Sequence, residues 1–245
     1  MNQLTTSFVK RLRDRDETAW FELWETFGPV LRAQLSKWGR GRIGVETVRD
    51  LTQETLAALS DSLHRFDPSR GARFSTWLLS IAKHALGDEM DRRMALKRGA
   101  GRKPMALDER LTYSAATVQA DEVYERNIFS AKVYAAIRRA ESEAEFVQFQ
   151  VYRMRVLEKQ SGKDVAEQLG VSEPTVSRHL QKVRDLLRRR VSEMIATYSF
   201  TTEEHEEART AGLNGNDDLF DEAVCDIYHQ QARIITEDES ASYAF

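Results

Sequence analysis

The stretch DLTQETLAALSDSLHRFDPSRGARFSTWLLSIAKHALGDEMDRR, residues 50–93, divides into a helix, a polar loop and a second helix. In the first helix Leu51, Thr55, Leu59 and Leu63 recur at helical spacing, with Leu56 beside them, and form an inward seam. Asp50, Gln53, Glu54, Ala57 and Asp61 share another face. Acids and an amide without alternating lysines suit docking on a basic partner; the competing reading is a merely solvated face. Thr47 with Asp50 three residues on has the spacing of a capping box. In the loop, Asp67-Pro68 starts a turn and Gly71 permits close backbone approach. Ser75 is the expected N-cap of the second helix, whose buried stripe is Leu78, Ile81, Ala82 and Ala85. Trp77, Ser80, Lys83, His84 and Gly87 then lie nearer the outside. Phe74 and Trp77 could stack on unpaired bases, worth about 1–3 kcal/mol per base, although Phe74 suits the core better and Trp77 suits core and surface equally. Lys83, Arg92 and Arg93 suit phosphate neutralisation.

Composition agrees with a helical protein. In 245 residues there are only four prolines, and period-two alternation is scarce. A single cysteine, Cys225, excludes an internal disulfide and cysteine-rich zinc sites. No apolar run approaches the roughly 18 residues of a membrane span, and no secretory leader is legible. The expected setting is a reducing cytoplasm. The net charge of −3 hides an asymmetry: residues 201–245 carry about −10 and residues 1–200 about +7. A basic body with an acidic tail suits a polyanion-binding protein carrying an appended regulator, or one kept soluble by its tail.

Before residue 50, Phe8, Val9 and Leu12 mark a short amphipathic helix and Asp16 is a good N-cap. Trp20, Trp24, Phe27, Leu31, Leu35 and Trp38 continue as one apolar stripe, with Pro29 expected to kink or divide it. After residue 93 the pattern breaks at Gly99, Gly101 and Pro104. This reads as a linker whose Lys97, Arg98, Arg102 and Lys103 could follow a nucleic-acid backbone. Its 27 or so residues reach roughly 90 Å when extended, enough to set two domains about two DNA turns apart at about 34 Å per turn.

Periodicity resumes near Asp121, with Val133, Ala136 and Ile137 inward, then Phe146, Phe149, Val151, Met154 and Leu157. The most specific signal follows in SGKDVAEQLGVSEPTVSRHLQKVRDLLRRR, residues 161–190. Ser161 with Asp164 is a capping box. Ala166, Gly170 and Val176 have the small–glycine–aliphatic spacing of a helix-turn-helix, with Val165, Leu169 and Val171 filling its core. Ser172 caps the second helix, and Pro174 is tolerated in its first turn. Thr175, Ser177, Arg178, Gln181 and Lys182 project from that helix, where Arg and Gln can contact guanine and adenine edges in the major groove. The basic run Arg184, Arg188, Arg189, Arg190 favours DNA over a packing role. Beyond Tyr198, Glu203–Ala211 and residues 217–233 read as two acidic amphipathic helices, and the final SASYAF as disordered.

Residues 50–93 resemble conserved domain 2 of bacterial sigma-70-family factors of the extracytoplasmic-function group, and the helix-turn-helix resembles their domain 4. The resemblance covers residues 8–93 and about 126–195. It implies an all-α protein of two helical domains joined by a flexible linker: region 2 over 1–95, linker over 96–125, region 4 over 126–198, and an acidic extension over 199–245. It implies a transcription initiation factor, not an enzyme, with no cofactor or metal, whose partners are RNA polymerase core and promoter DNA. By position, Asp50, Gln53 and Glu54 would dock on the β′ coiled coil, and region 4 on the β flap. Asp67, Ser69, Arg70 and Arg73 would cradle a flipped −10 base. Phe74, Trp77, Lys83, His84, Arg92 and Arg93 would hold the melted non-template strand. Thr175, Ser177, Arg178, Gln181 and Lys182 would read the −35 duplex, and an anti-sigma or other regulator could meet the extension. There are departures from the family pattern. His84 stands where Asn is common, Gly87 and Leu56 replace an aliphatic and an aromatic residue, and Ser177-Arg178-His179 replaces Lys-Ser-Arg. The promoter sequence therefore cannot be borrowed.

Two other classes compete. A helix-turn-helix regulator that binds DNA without polymerase would need no Asp50/Gln53/Glu54 face. An enzyme would need more than His64, His84, His179, His205 and His229, which lack metal spacing, and a Cys225 with no activating base beside it.

Overall fold

Helix boundaries in this protein have local chemical causes, and several differ from what spacing predicts. Asp16 caps α2 (Glu17–Gly39) as expected, accepting from the Ala19 amide at 2.8 Å. Arg11 in α1 (Gln3–Arg13) donates to the same carboxylate at 3.1 Å. That guanidinium contact, helped by the Ala19 amide, holds the Asp16 carboxyl below its ordinary range. α2 is not divided at Pro29, because Phe27, Val30 and Leu31 around it are all buried and hold both halves on one core. α3 (Val45–Ser62) begins after Gly44 with no side-chain cap. The expected Thr47/Asp50 box is therefore absent: Thr47 lies inside the first turn, and its hydroxyl accepts from Arg93 at 2.8 Å. A 3-10 turn (Leu63–Arg65) closes α3. α4 (Phe74–Arg98) starts one residue before the expected cap Ser75, which is buried within the helix.

The computed structural model describes residues 3–39, 41–67, 73–98 and 122–243. All secondary structure among them is helical. They group into two compact units, one mainly of residues 6–128 and the other mainly of residues 129–233.

In the first unit the inward seam is as read: Leu51, Thr55, Leu59 and Leu63 are buried, with Phe8, Leu12, Leu23, Leu31, Leu35, Leu78 and Ile81. The buried hydroxyls of Thr52 and Thr55 donate back to Val48 and Leu51 carbonyls at 2.6 Å, so neither is left without a partner. The tryptophans of the α2 stripe sit at its edge: Trp20 donates to the Leu12 carbonyl at 3.1 Å, and Arg32 lies 5.1 Å over the Trp24 ring. Ser80, expected outside, is buried and donates to the Trp77 carbonyl.

The second unit contains most of α5 (Glu122–Glu143), then α6 (Phe146–Tyr152), a π turn (Arg153–Leu157), α7 (Gly162–Leu169), α8 (Glu173–Tyr198), α9 (Thr202–Thr210) and α10 (Asp217–Tyr243) as far as Arg233. α5 begins in the first unit and continues into the second. Both caps of the helix-turn-helix form: Ser161 accepts from the Asp164 amide, and Ser172 from the Thr175 amide. Gly170 takes φ +65°, a left-handed turn conformation that the spacing required. Val151, Met154, Val165, Ala166 and Val176 form its small core. The larger core joins Phe149, Tyr152, Leu187, Val191 and Ile195 to Ala208, Leu213, Phe220, Val224 and Ile227. The acidic extension is thus part of the fold, and α10 runs through to Tyr243 where disorder was expected from residue 240. Phe146, expected inward, is 77% exposed at the start of α6.

Candidate nucleic-acid interface

Three surfaces carry the residues singled out by the sequence. On α3, Asp50, Gln53, Glu54, Ala57 and Asp61 are all exposed on the face opposite the buried seam. Periodicity alone placed them together, and the helix keeps them so.

The second surface is α4 and the segment before it. Asp67 is exposed, while Ser69 and Arg70 lie outside the described residues. Phe74 is 1% exposed, packed edge-on against Phe27, Phe66 and Trp77 at centroid separations of 5.9, 5.3 and 6.1 Å. That burial corrects its reading as a base-stacking residue: Phe74 supports the surface from below. Trp77 is half-buried and stacks on Phe66 at 5.0 Å and 21°. Lys83 is exposed further along the helix. His84 places its Nδ1 2.6 Å from the Ser80 carbonyl, which fixes a proton on that nitrogen.

The two arginines at the end of α4 part company. Both reach the buried Glu89, Arg92 Nη2 and Arg93 Nε each at 2.6 Å. Burial alone would raise the Glu89 carboxyl, but hydrogen bonds from Arg93 and Arg92 outweigh it and hold it below its ordinary range. Arg92 keeps most of its surface in solvent. Arg93 also donates to the Arg42 carbonyl at 3.0 Å and to Thr47, so it braces α4 against α3 and the loop before it. Its side chain is still partly exposed.

Sequence reasoning missed Glu125. It is buried and accepts from Ser75 at 2.6 Å and Thr76 at 2.9 Å, with Arg73 Nη1 at 3.6 Å. A carboxylate near the first turn of a helix is favourable electrostatically. A lone glutamate far along the chain gives no sequence signal of that pairing.

The third surface is the start of α8. Ser177, Arg178, Gln181 and Lys182 are exposed and Thr175 is half-exposed. Arg178 is steadied by the Pro174 carbonyl at 3.2 Å and the Thr175 hydroxyl at 3.3 Å. The basic run after it does not all face outward, which corrects its reading as a DNA contact. Arg184 is buried and grips Asp221 with two nitrogens at 3.1 and 2.7 Å, and Asp217 at 2.8 Å. The Asp221 contact, against the opposing effect of burial, holds the Arg184 guanidinium firmly charged. Arg188 reaches Asp217 at 3.2 Å and lies 4.2 Å over the Phe220 ring. Arg190 pairs with Glu143 and Glu193. Arg189 remains exposed.

Burial pushes the Cys225 thiol up, the wrong direction for a nucleophile. Among the described residues no group of His, Cys, Asp and Glu is arranged to hold a metal ion, and no helix is long and apolar enough to cross a membrane.

Family models match the chain twice and in order: Sigma-70 region 2 over residues 23–95, and Sigma-70, region 4 over residues 147–187. No curated protein and no solved structure gave a match. The first match spans α3 and α4 with their exposed polar face and aromatic–basic surface, and the second spans the helix-turn-helix. The chain belongs to the sigma-70 family, as a sigma factor of the extracytoplasmic-function type that directs RNA polymerase to promoters.

Proposed function

We propose a division of labour among the three surfaces. The exposed Asp50/Gln53/Glu54 face of α3 docks on the β′ coiled coil of core polymerase. The segment from Asp67 to Arg73 and the outer side of α4, with Trp77, Lys83, His84 and Arg92, hold the melted −10 strand, and the start of α8 reads the −35 duplex. The exposed Phe146 and Val147 offer the β flap an apolar contact beside the helix-turn-helix. Region 2 then ends with α4, region 4 runs from within α5, and the part of the acidic extension from Ala208 to Ile227 packs with region 4 although it extends beyond the family match. The factor acts in the cytoplasm without catalytic chemistry of its own.

The observation that carries this reading is the coexistence of the exposed polar α3 face with an intact helix-turn-helix. A regulator working without polymerase has no use for the former. Pull-down of core polymerase tests it directly: wild type should be retained, and Gln53→Ala/Glu54→Ala should lose most retention while keeping its helical signal. Equal retention of both would remove α3 as the docking site. On the −35 side, Arg178→Ala should cost about 1–3 kcal/mol at one promoter position, read as relaxed base preference there in run-off transcription. Unchanged selectivity would move the reading residues elsewhere on α8.

A further inference from the structure

Gln181 stands on the exposed side of α8 with Ser177 and Arg178, yet its carboxamide is held at both ends. Its Oε1 accepts from Arg184 Nη1 at 2.7 Å, and its Nε2 donates to Asp185 Oδ1 at 3.0 Å. Arg184 is in turn fixed from behind. Its Nε and Nη2 engage Asp221 as a fork, and the same Nη1 that holds Gln181 also donates to Asp217 Oδ2 at 2.8 Å. Neither aspartate is idle elsewhere. Asp221 Oδ1 accepts from the Tyr152 hydroxyl at 3.1 Å, and Asp217 Oδ1 accepts from Arg188 at 3.2 Å. A continuous set of hydrogen bonds therefore runs from the acidic extension, through a buried guanidinium, to an amide on the proposed DNA-reading side.

We propose that Asp217 and Asp221 are specificity-determining positioning residues: through Arg184 they set which way the Gln181 carboxamide points, and so which base edge it accepts at the −35 element. This rests on the assignment of α8 to −35 reading. An amide has a donor end and an acceptor end, and reversing it exchanges the base edge it complements. With Oε1 held toward Arg184 and Nε2 toward Asp185, one acceptor lone pair and one N–H remain, the pair that matches the N6 and N7 edge of adenine. A lysine in place of Arg184 could not reproduce the planar fork that spans two aspartates and the amide at once. The extension thus takes part in promoter choice without touching DNA.

The test uses polymerase holoenzyme and a promoter library randomised over the −35 element. Asp221→Asn turns one of the fork's two acceptors into a donor facing the guanidinium and should lower discrimination at one base pair by on the order of ten-fold, leaving the other positions as they were. Gln181→Ala should lower discrimination at that same pair. The double variant Gln181→Ala/Asp221→Asn should lose no more there than Gln181→Ala alone, since the aspartate acts only through the glutamine. If Asp221→Asn does not fold, Asp217→Asn, whose carboxylate is partly exposed, takes its place with the same expected pattern in smaller measure. Loss spread evenly over all positions, or unchanged preference in a folded aspartate variant alongside a shifted one in Gln181→Ala, overturns the positioning role. No shift in Gln181→Ala removes Gln181 from base reading and overturns the proposal, and no shift in Arg178→Ala as well overturns the −35 assignment itself.

Discussion

Removing residues 201–245 is expected to unfold the C-terminal unit, not to release a more active factor. The extension supplies Leu213, Phe220, Val224 and Ile227 to the main core of that unit. Burying each such side chain contributes about 1.5–3 kcal/mol, so the four together are comparable with the whole net stability of a small domain, about 5–15 kcal/mol. The order lost with the missing helices offsets part of this. The remaining helices would still expose the apolar faces of Phe149, Tyr152, Leu187 and Val191 that now lie in that core. Thermal unfolding followed by circular dichroism should show the transition of this unit lowered or lost, together with dye binding typical of loosened cores. A truncated protein that melts normally and binds promoter DNA more tightly at low salt would instead mark the tail as a detachable inhibitor.

The second large effect is expected at the buried pair Lys132–Glu204, 2.9 Å apart with both side chains almost wholly out of solvent. Glu204 also accepts from the Phe200 amide at 2.7 Å and the Thr201 amide at 2.9 Å, while the Thr201 hydroxyl accepts from the Glu204 amide at 3.3 Å. It therefore completes the capping box of α9 and holds that helix to α5. Glu204→Ala strands an ammonium and leaves two amides without their acceptor, and should cost about 3–5 kcal/mol in denaturant unfolding. Replacing both partners, Lys132→Met with Glu204→Leu, should be less damaging than Glu204→Ala, because no buried charge is left unpaired. A double variant as unstable as the single one would mean that the amide contacts, not the ion pair, carry the effect.

How much of this could be read beforehand depended on whether the cause was local. The helix-turn-helix was legible because its caps, left-handed Gly170 and small Ala166 are all fixed within a few residues. The α3 face was legible because periodicity alone sorts its residues. Thr47 and Ser75 satisfied the spacing of caps, but each found a distant partner, Arg93 and Glu125, and the helices began elsewhere. The basic run after the recognition residues looked like a phosphate-binding surface because charge counts register composition, not pairing. Arg184 and Arg188 face the extension, and only the tertiary fold brings Asp217 and Asp221 to them. Phe146 fitted the apolar period and yet lies outside, since a seven-residue helix leaves one of its ends uncovered.

The placement of Phe220 and Val224 in the region 4 core also imposes a schedule on synthesis. N-terminal units fold first as a chain emerges, and the polar α3 face and the outer side of α4 come from residues before 99, steadied by Glu125 soon after. The reading helix of region 4 cannot settle until α10 has been translated and has met it. A nascent factor would thus gain its polymerase-facing side before its duplex-reading side, and premature stops within α10 would yield chains able to occupy polymerase yet unable to select a promoter.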